Sequence, residues 1–62
     1  MDIKTKRLSK GLTQDALAEL LNVTRSTVAM WESQASIPTS DKLPKLAKIL
    51  GCTIDDLYKK ED

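Results

Sequence analysis

The segment Thr13–Glu32, TQDALAELLNVTRSTVAMWE, constrains the fold of this chain more than any other, because it reads as two short helices joined by a very tight turn. In its first half, Ala16, Leu17, Leu20 and Leu21 recur at helical spacing behind Thr13, whose hydroxyl can cap a helix start. In its second half, Val28 and Trp31 follow a second capping residue, Thr24. Between them lies Asn22-Val23. Asparagine is one of the few residues that tolerate the left-handed backbone conformation, so Asn22 can reverse the chain quickly and aim Val23 back between the two helices. Ala18 supplies the small side chain that lets the second helix approach the first closely.

The flanks continue the helical pattern. A first helix is expected from about Asp2 to Ser9, with Ile3 and Leu8 inward and Gly11 ending it. The central pair spans roughly Gln14–Leu21 and Arg25–Glu32, and a polar loop, Ser33–Thr39, follows, with Ile37 folding back onto the core ahead of Pro38. A fourth helix carries Leu43, Leu46, Ala47 and Leu50 on one face and stops at Gly51. Pro44 has no N–H to donate, which places it in the first turn of that helix and makes Ser40 or Asp41 the cap. A fifth helix starts after Thr53, whose spacing to Asp56 imitates a capping box, and runs to about Lys59, with Ile54 and Leu57 inward and Tyr58 half-buried. The fold class is thus all-α, a compact five-helix arrangement, with residues 1–62 expected to form one domain. A chain this small buries only about 60% of the surface it exposes when unfolded.

Composition excludes several kinds of chemistry. The chain has no His and one Cys, Cys52, so a disulfide framework, a zinc cluster and His-based catalysis are unavailable within it. Cys52, beside Gly51 and the cap of the fifth helix, reads as a small packed side chain rather than a reactive thiol. A glycine-rich phosphate loop and a nucleophile with a base are both missing, so an enzyme, a cofactor and a small-molecule ligand are not expected. Charges interrupt every apolar run and no leader is visible, which points to a cytoplasmic chain with no membrane partner. Net charge is +1. Residues 1–31 carry five basic and three acidic side chains, and residues 32–62 carry five lysines and six acids. So slight an excess is as consistent with ordinary surface charge as with an electrostatic footprint.

At these positions the chain resembles the phage repressor/Cro type of helix-turn-helix, the XRE-type regulators. Gln14 opens the first helix of the motif, Leu17, Ala18 and Leu21 form its inner face, Val23 follows the turn, and Val28, Trp31 and Glu32 recur at the family's spacing. Gly11-Leu12-Thr13-Gln14 matches the lead-in, and Pro38 through Leu57, including LAKILGCTIDDLY, matches the last two helices. The resemblance implies sequence-specific binding to double-stranded DNA and transcription regulation, with repression by promoter occupancy as the default. One reading helix covers few base pairs, so a homodimer on a pseudo-palindromic site is expected. The resemblance also implies that Arg7 and Glu32 form an ion pair tying the first helix to the reading helix, and that Gln14 reaches a backbone phosphate.

Residues at the N-terminal end of the second motif helix reach base edges in such proteins, which nominates Arg25, Ser26, Thr27 and Met30. The fork of Arg25 matches both acceptors of a guanine, Ser26 and Thr27 can bond a base or a phosphate, and Met30 can lie against a thymine methyl. The alternative for all four is an exposed polar face. Phosphate contacts are assigned to Gln14, at a helix N-terminus that favours anions, and to Thr24, Ser33 and Gln34. Relatives usually carry Asn-Gly, then a basic residue, where this chain has Ser33, Gln34 and Ala35, so fewer phosphate contacts are expected there. Trp31 could be taken for a base-stacking platform, but its helical spacing with Val28 in a chain without Phe assigns it to the core. A protein-interaction module, such as an antitoxin or an inhibitor of another regulator, is the competing reading.

Overall fold

Two threonine caps and one left-handed residue set the central geometry. The computed structural model describes residues 1–58, among which lie five helices and no strand. Helices α2 (Gln14–Leu21) and α3 (Arg25–Glu32) open on Thr13 and Thr24, whose hydroxyls accept from the N–H of Ala16 at 3.0 Å and of Thr27 at 3.2 Å. These bonds satisfy donors that a helix start leaves free. Asn22 ends α2 at φ 57°, ψ 43°, and the Val23 N–H returns to the Ala18 carbonyl at 2.9 Å. Ala18 is buried, and α2 packs more extensively on α3 than any other helix pair packs together.

Helix α1 (Ile3–Ser9) is capped by the Asp2 carboxylate, which accepts from the Thr5 N–H at 3.3 Å. The Asp2 N–H donates to the Leu57 carbonyl at 3.1 Å and so joins the two ends of the described chain. The inward residues of α1 are Ile3 and Arg7, not Ile3 and Leu8, and Leu8 is 56% exposed. Ile3 and Arg7 stand four apart and share a helix face, and the buried position falls to the arginine because an acid awaits it on α3. Gly11, at φ +70°, closes the turn with its N–H on the Leu8 carbonyl at 3.0 Å.

Helix α4 (Leu43–Leu50) holds Pro44 in its first turn, where a missing N–H costs nothing. Its cap is Lys42 rather than Ser40 or Asp41, and no side chain bonds the helix start. The Thr39 carbonyl accepts from the N–H groups of Lys42 and Leu43, so a backbone turn leads straight into the helix, while the Thr39 hydroxyl donates to Asp41. Helix α5 (Ile54–Tyr58) begins on a complete capping box: the Thr53 N–H donates to Asp56 and the Asp56 N–H to the Thr53 hydroxyl, each at 3.1 Å. The expected end of this helix at Lys59 lies outside the described residues.

All five helices contribute to the core. Ile3, Leu17, Leu21, Val28, Trp31, Leu46, Leu50 and Leu57 are buried, and Val23, Cys52 and Ile54 pack against them half-buried. Besides Leu8, two apolar residues of the sequence pattern are not inside. Leu20 is exposed because it lies about 100° from the centre of the face shared by Leu17, Ala18 and Leu21. Ile37 is 63% exposed, and the neighbouring Pro38 is buried in its place. Tyr58 is about half exposed, at 52%. Among the described residues, no helix is long and apolar enough to cross a membrane.

Trp31 is the largest side chain of this core, at 4% exposure. Trp31→Ala should destabilise the fold by about 3–5 kcal/mol, a large share of what so small a domain has. Urea unfolding followed by circular dichroism measures it, and a loss below about 1 kcal/mol would place Trp31 outside the load of the core.

Candidate nucleic-acid interface

Behind the reading helix lies a buried charge. Arg7 is 6% exposed, and its Nε donates to Glu32 Oε2 at 2.6 Å while its Nη2 donates to Glu32 Oε1 at 3.3 Å. Its Nη1 donates to the Leu12 carbonyl at 2.6 Å. The Arg7 and Glu32 side chains are 8% and 6% exposed, so the structure brings these two residues together almost out of solvent. Neither is left short of partners, since the described residues contain no buried side-chain N or O atom without a hydrogen bond.

Gln14 joins this pair. Its Nε2 donates to Glu32 Oε1 at 3.1 Å, and its Oε1 accepts from Arg25 Nε at 3.4 Å. Arg25 Nε also stands 3.8 Å from Asp15, in an exposed pair screened by water and salt. Burial pushes the Glu32 carboxyl up, but the bonds from Arg7 and Gln14 and the charges of Arg7 and Lys4 outweigh it and hold the group below its ordinary value.

The outward residues of α3 differ in freedom. Arg25 and Ser26 are exposed, and Met30 is 44% exposed. Thr27 is half-buried, with its hydroxyl 2.9 Å from that of Thr24, the cap of α3, which also accepts from the Thr27 N–H. Helix α2 presents its N-terminus beside this face, where the first-turn N–H groups of Gln14 and Asp15 have no intrahelical partner.

The loop after α3 is internally bonded. The Ser33 hydroxyl donates to the Met30 carbonyl at 3.1 Å. Gln34 takes the left-handed conformation, φ 67°, in the place where a glycine would be relaxed, and its Nε2 donates to the Met1 carbonyl at 2.8 Å. Both side chains proposed for phosphate therefore bond within the chain.

Sequence reasoning missed the bond from Gln14 to Glu32, the Asp15 carboxylate beside Arg25, and the Leu12 carbonyl that receives Arg7. Gln14 and Glu32 are 18 positions apart, and no local pattern announces such a contact. Only the Asp15–Arg25 pair had a signal, since both residues open helices that the turn brings side by side.

With capped helices, a left-handed turn and an exposed helix start in this arrangement, the molecule has the architecture of a helix-turn-helix. The model of the helix-turn-helix family matches residues 3–57, and the chain belongs to that family, in its XRE-type branch of DNA-binding regulators. Over 56 residues it is 39% identical to the HTH-type transcriptional activator BcrR of Enterococcus faecalis, a match covering 90% of this chain and 28% of that protein. Over 57 residues it is 37% identical to the SPbeta prophage-derived uncharacterized HTH-type transcriptional regulator YonR of Bacillus subtilis (strain 168), covering 92% of this chain and 53% of that one. The chain thus spans about a quarter and about half of these two relatives. No solved structure gives a significant match.

Two linked outcomes are expected of the buried pair. Arg7→Leu or Glu32→Leu alone should cost about 3–5 kcal/mol and the double substitution less than either, because a lone buried charge is the expensive state. The carboxyl is lower in the folded than in the unfolded chain, so its contribution is complete above the ordinary value of 4.5 and is lost as pH falls through the folded value. Unfolding curves of the wild type and the three Leu variants at pH 7 test the first point, and those of the wild type and Glu32→Gln between pH 7 and pH 3 the second. An acid slope undiminished by Glu32→Gln would assign it elsewhere, for instance to Asp41, a carboxyl held low by its hydrogen bond from Thr39.

Proposed function

We propose that residues 1–62 act as one DNA-binding domain that recognises a specific double-stranded site through the start of α3 and regulates transcription by occupying it. The observation that carries this reading is Arg25. It opens a helix whose other face is locked into the core by Val28 and Trp31, its side chain is 68% exposed, and among the described residues the contacts it makes are through its Nε. Both Nη groups remain available for the O6 and N7 acceptors of a guanine. Ser26 and Met30 flank it on the exposed face, and Thr27 adds a methyl and a hydroxyl at its edge.

Positioning contacts complete the proposed surface. The open N–H groups at the start of α2 favour a phosphate, and Gln14 has one amide hydrogen beyond the one given to Glu32. Thr24, Ser33 and Gln34 are placed at the edges of α3 and reach phosphate less freely, since each bonds within the chain. Occupancy alone suffices for repression, which is the sign we assign. Activation, the role in the name of the enterococcal relative, requires a further contact with polymerase. A homodimer would present two reading helices, with contacts along α5 and the α4–α5 junction at Cys52 and Thr53.

Selection from a randomised duplex library supplies the test. Arg25→Ala should erase preference at one base pair per half-site, at a cost of about 1–3 kcal/mol, whereas a uniform weakening over all sequences would make Arg25 a phosphate contact. Affinity for the selected site should fall as salt rises, less steeply than for a protein with many basic phosphate contacts, and failure to select any duplex at low salt would favour a protein-interaction module. The geometry of two reading helices related by a two-fold axis sets half-site centres about 10 base pairs apart or a multiple of that. A footprint on one asymmetric half-site at saturating protein would remove the homodimer.

A further inference from the structure

We propose that Asp15 is a specificity-determining residue: its carboxylate withholds the charge of Arg25 from DNA phosphates while leaving the hydrogen bonds of Arg25 available to a base edge. The inference rests on the reading of Arg25 as the base-reading side chain, and it gives a role to an acid on the surface proposed to face a polyanion.

Asp15 lies in the first turn of α2, Arg25 opens α3, and the packing of the two helices brings these starts side by side. Asp15 Oδ1 stands 3.8 Å from Arg25 Nε, with the Asp15 and Arg25 side chains 75% and 68% exposed. Such a pair adds little to stability, since water and salt screen it. The helix dipole by itself favours an acid in a first turn. That role asks nothing of Arg25, yet the carboxylate stands beside it, on the side where phosphates approach in the proposed complex.

Charge decides which acceptor can use Arg25. A phosphate and a guanine edge both offer acceptors to the same Nη hydrogens, so donor geometry alone separates them poorly. A phosphate is an anion and draws on the net charge of the group it meets. The Arg25–Asp15 pair is neutral as a unit, and a phosphate that reaches the guanidinium also meets the carboxylate. Guanine O6 and N7 are uncharged, and bonds to them depend on direction more than on net charge. Asp15 therefore weakens the wrong docking of Arg25 more than the right one, and specificity arises by penalising the competitor. The phosphate proposed beside the start of α2 is left to uncharged donors, the backbone N–H groups and the Gln14 amide.

The test uses the full chain and two duplexes of equal length, the site selected from the randomised library and a scrambled sequence of the same composition. The variants are Asp15→Asn and Asp15→Ala, with Glu19→Gln as a control that removes an exposed acid one turn further along α2; melting curves check that each folds. Both Asp15 variants should tighten binding to the scrambled duplex by about 3- to 10-fold, the scale of two unit charges about 4 Å apart in water, and to the selected site by less than about 2-fold. Salt dependence on the scrambled duplex should steepen by about one phosphate contact per chain. Glu19→Gln should shift both duplexes by one common factor, and in an Arg25→Ala background Asp15→Asn should act as Glu19→Gln does. An Asp15→Asn effect equal on both duplexes, or weaker binding to both with a lower melting temperature, leaves Asp15 only its service to the helix dipole and overturns the proposal. If Arg25→Ala erases no base preference, the reading beneath it falls, while the gain of Asp15→Asn on the scrambled duplex still decides whether the carboxylate shields Arg25 from phosphate.

Discussion

The pairing of Arg7 with Glu32 organises the rest of this molecule. An arginine at 6% exposure cannot remain charged without partners, and all three nitrogens of its guanidinium donate: two to Glu32 and one to the Leu12 carbonyl. That single side chain ties α1 to the end of α3 and also fixes the lead-in to α2. A pair of well-packed apolar residues would bring comparable or greater stability at such a site, so attraction alone does not account for the charges. What the charged pair adds is direction. A planar fork accepts a carboxylate in few geometries, and the carboxylate in turn dictates which way the neighbouring amide of Gln14 faces.

The turn between α2 and α3 depends on the same economy of geometry. Asn22 supplies the left-handed step, Ala18 the absence of bulk, and Val23 the apolar plug, so that two eight-residue helices reach a fixed crossing with no loop to spare. Neither helix is long enough to be stable alone in water, and each depends on the face it buries against the other. The chain repeats the left-handed step after α3 with Gln34, where the backbone term costs about 1–2 kcal/mol more than glycine would. There the side chain recovers part of the loss by bonding Met1, which draws that loop toward the start of α1.

Local signals were legible in the sequence where one residue type has one strong reason to be present. Thr13, Thr24 and the Thr53–Asp56 box mark helix starts that the structure places at those residues, and Pro44 lies in the first turn that its chemistry demands. Faces were less legible than ends. In helices of seven or eight residues, periodicity samples only about two turns, so Leu8 and Leu20 fit an inward stripe as well as their buried neighbours do. The cap of α4 escaped prediction because Thr39 and Asp41 satisfy each other and leave the helix to grow out of a backbone turn. The partnership of Arg7 with Glu32 was suggested only by resemblance, since residues 25 positions apart carry no mutual local signal.

The electrostatics of the proposed reading face complete the physical picture. Arg7 is neutralised in the interior by Glu32, and Arg25 has Asp15 beside it, so two of the basic groups in the first half of the chain contribute little net field outside. Ala35 offers no charge where a basic residue would lengthen the phosphate contacts. A surface of this kind has a small sequence-independent attraction to a polyanion, and its affinity must come in larger proportion from directional bonds to bases. Directional bonds are worth most when the donors are held before contact, because freedom already lost in the free protein is not lost again on binding. The buried pair and the amide bonded to it thus supply fixed geometry beneath a surface whose external field is weak.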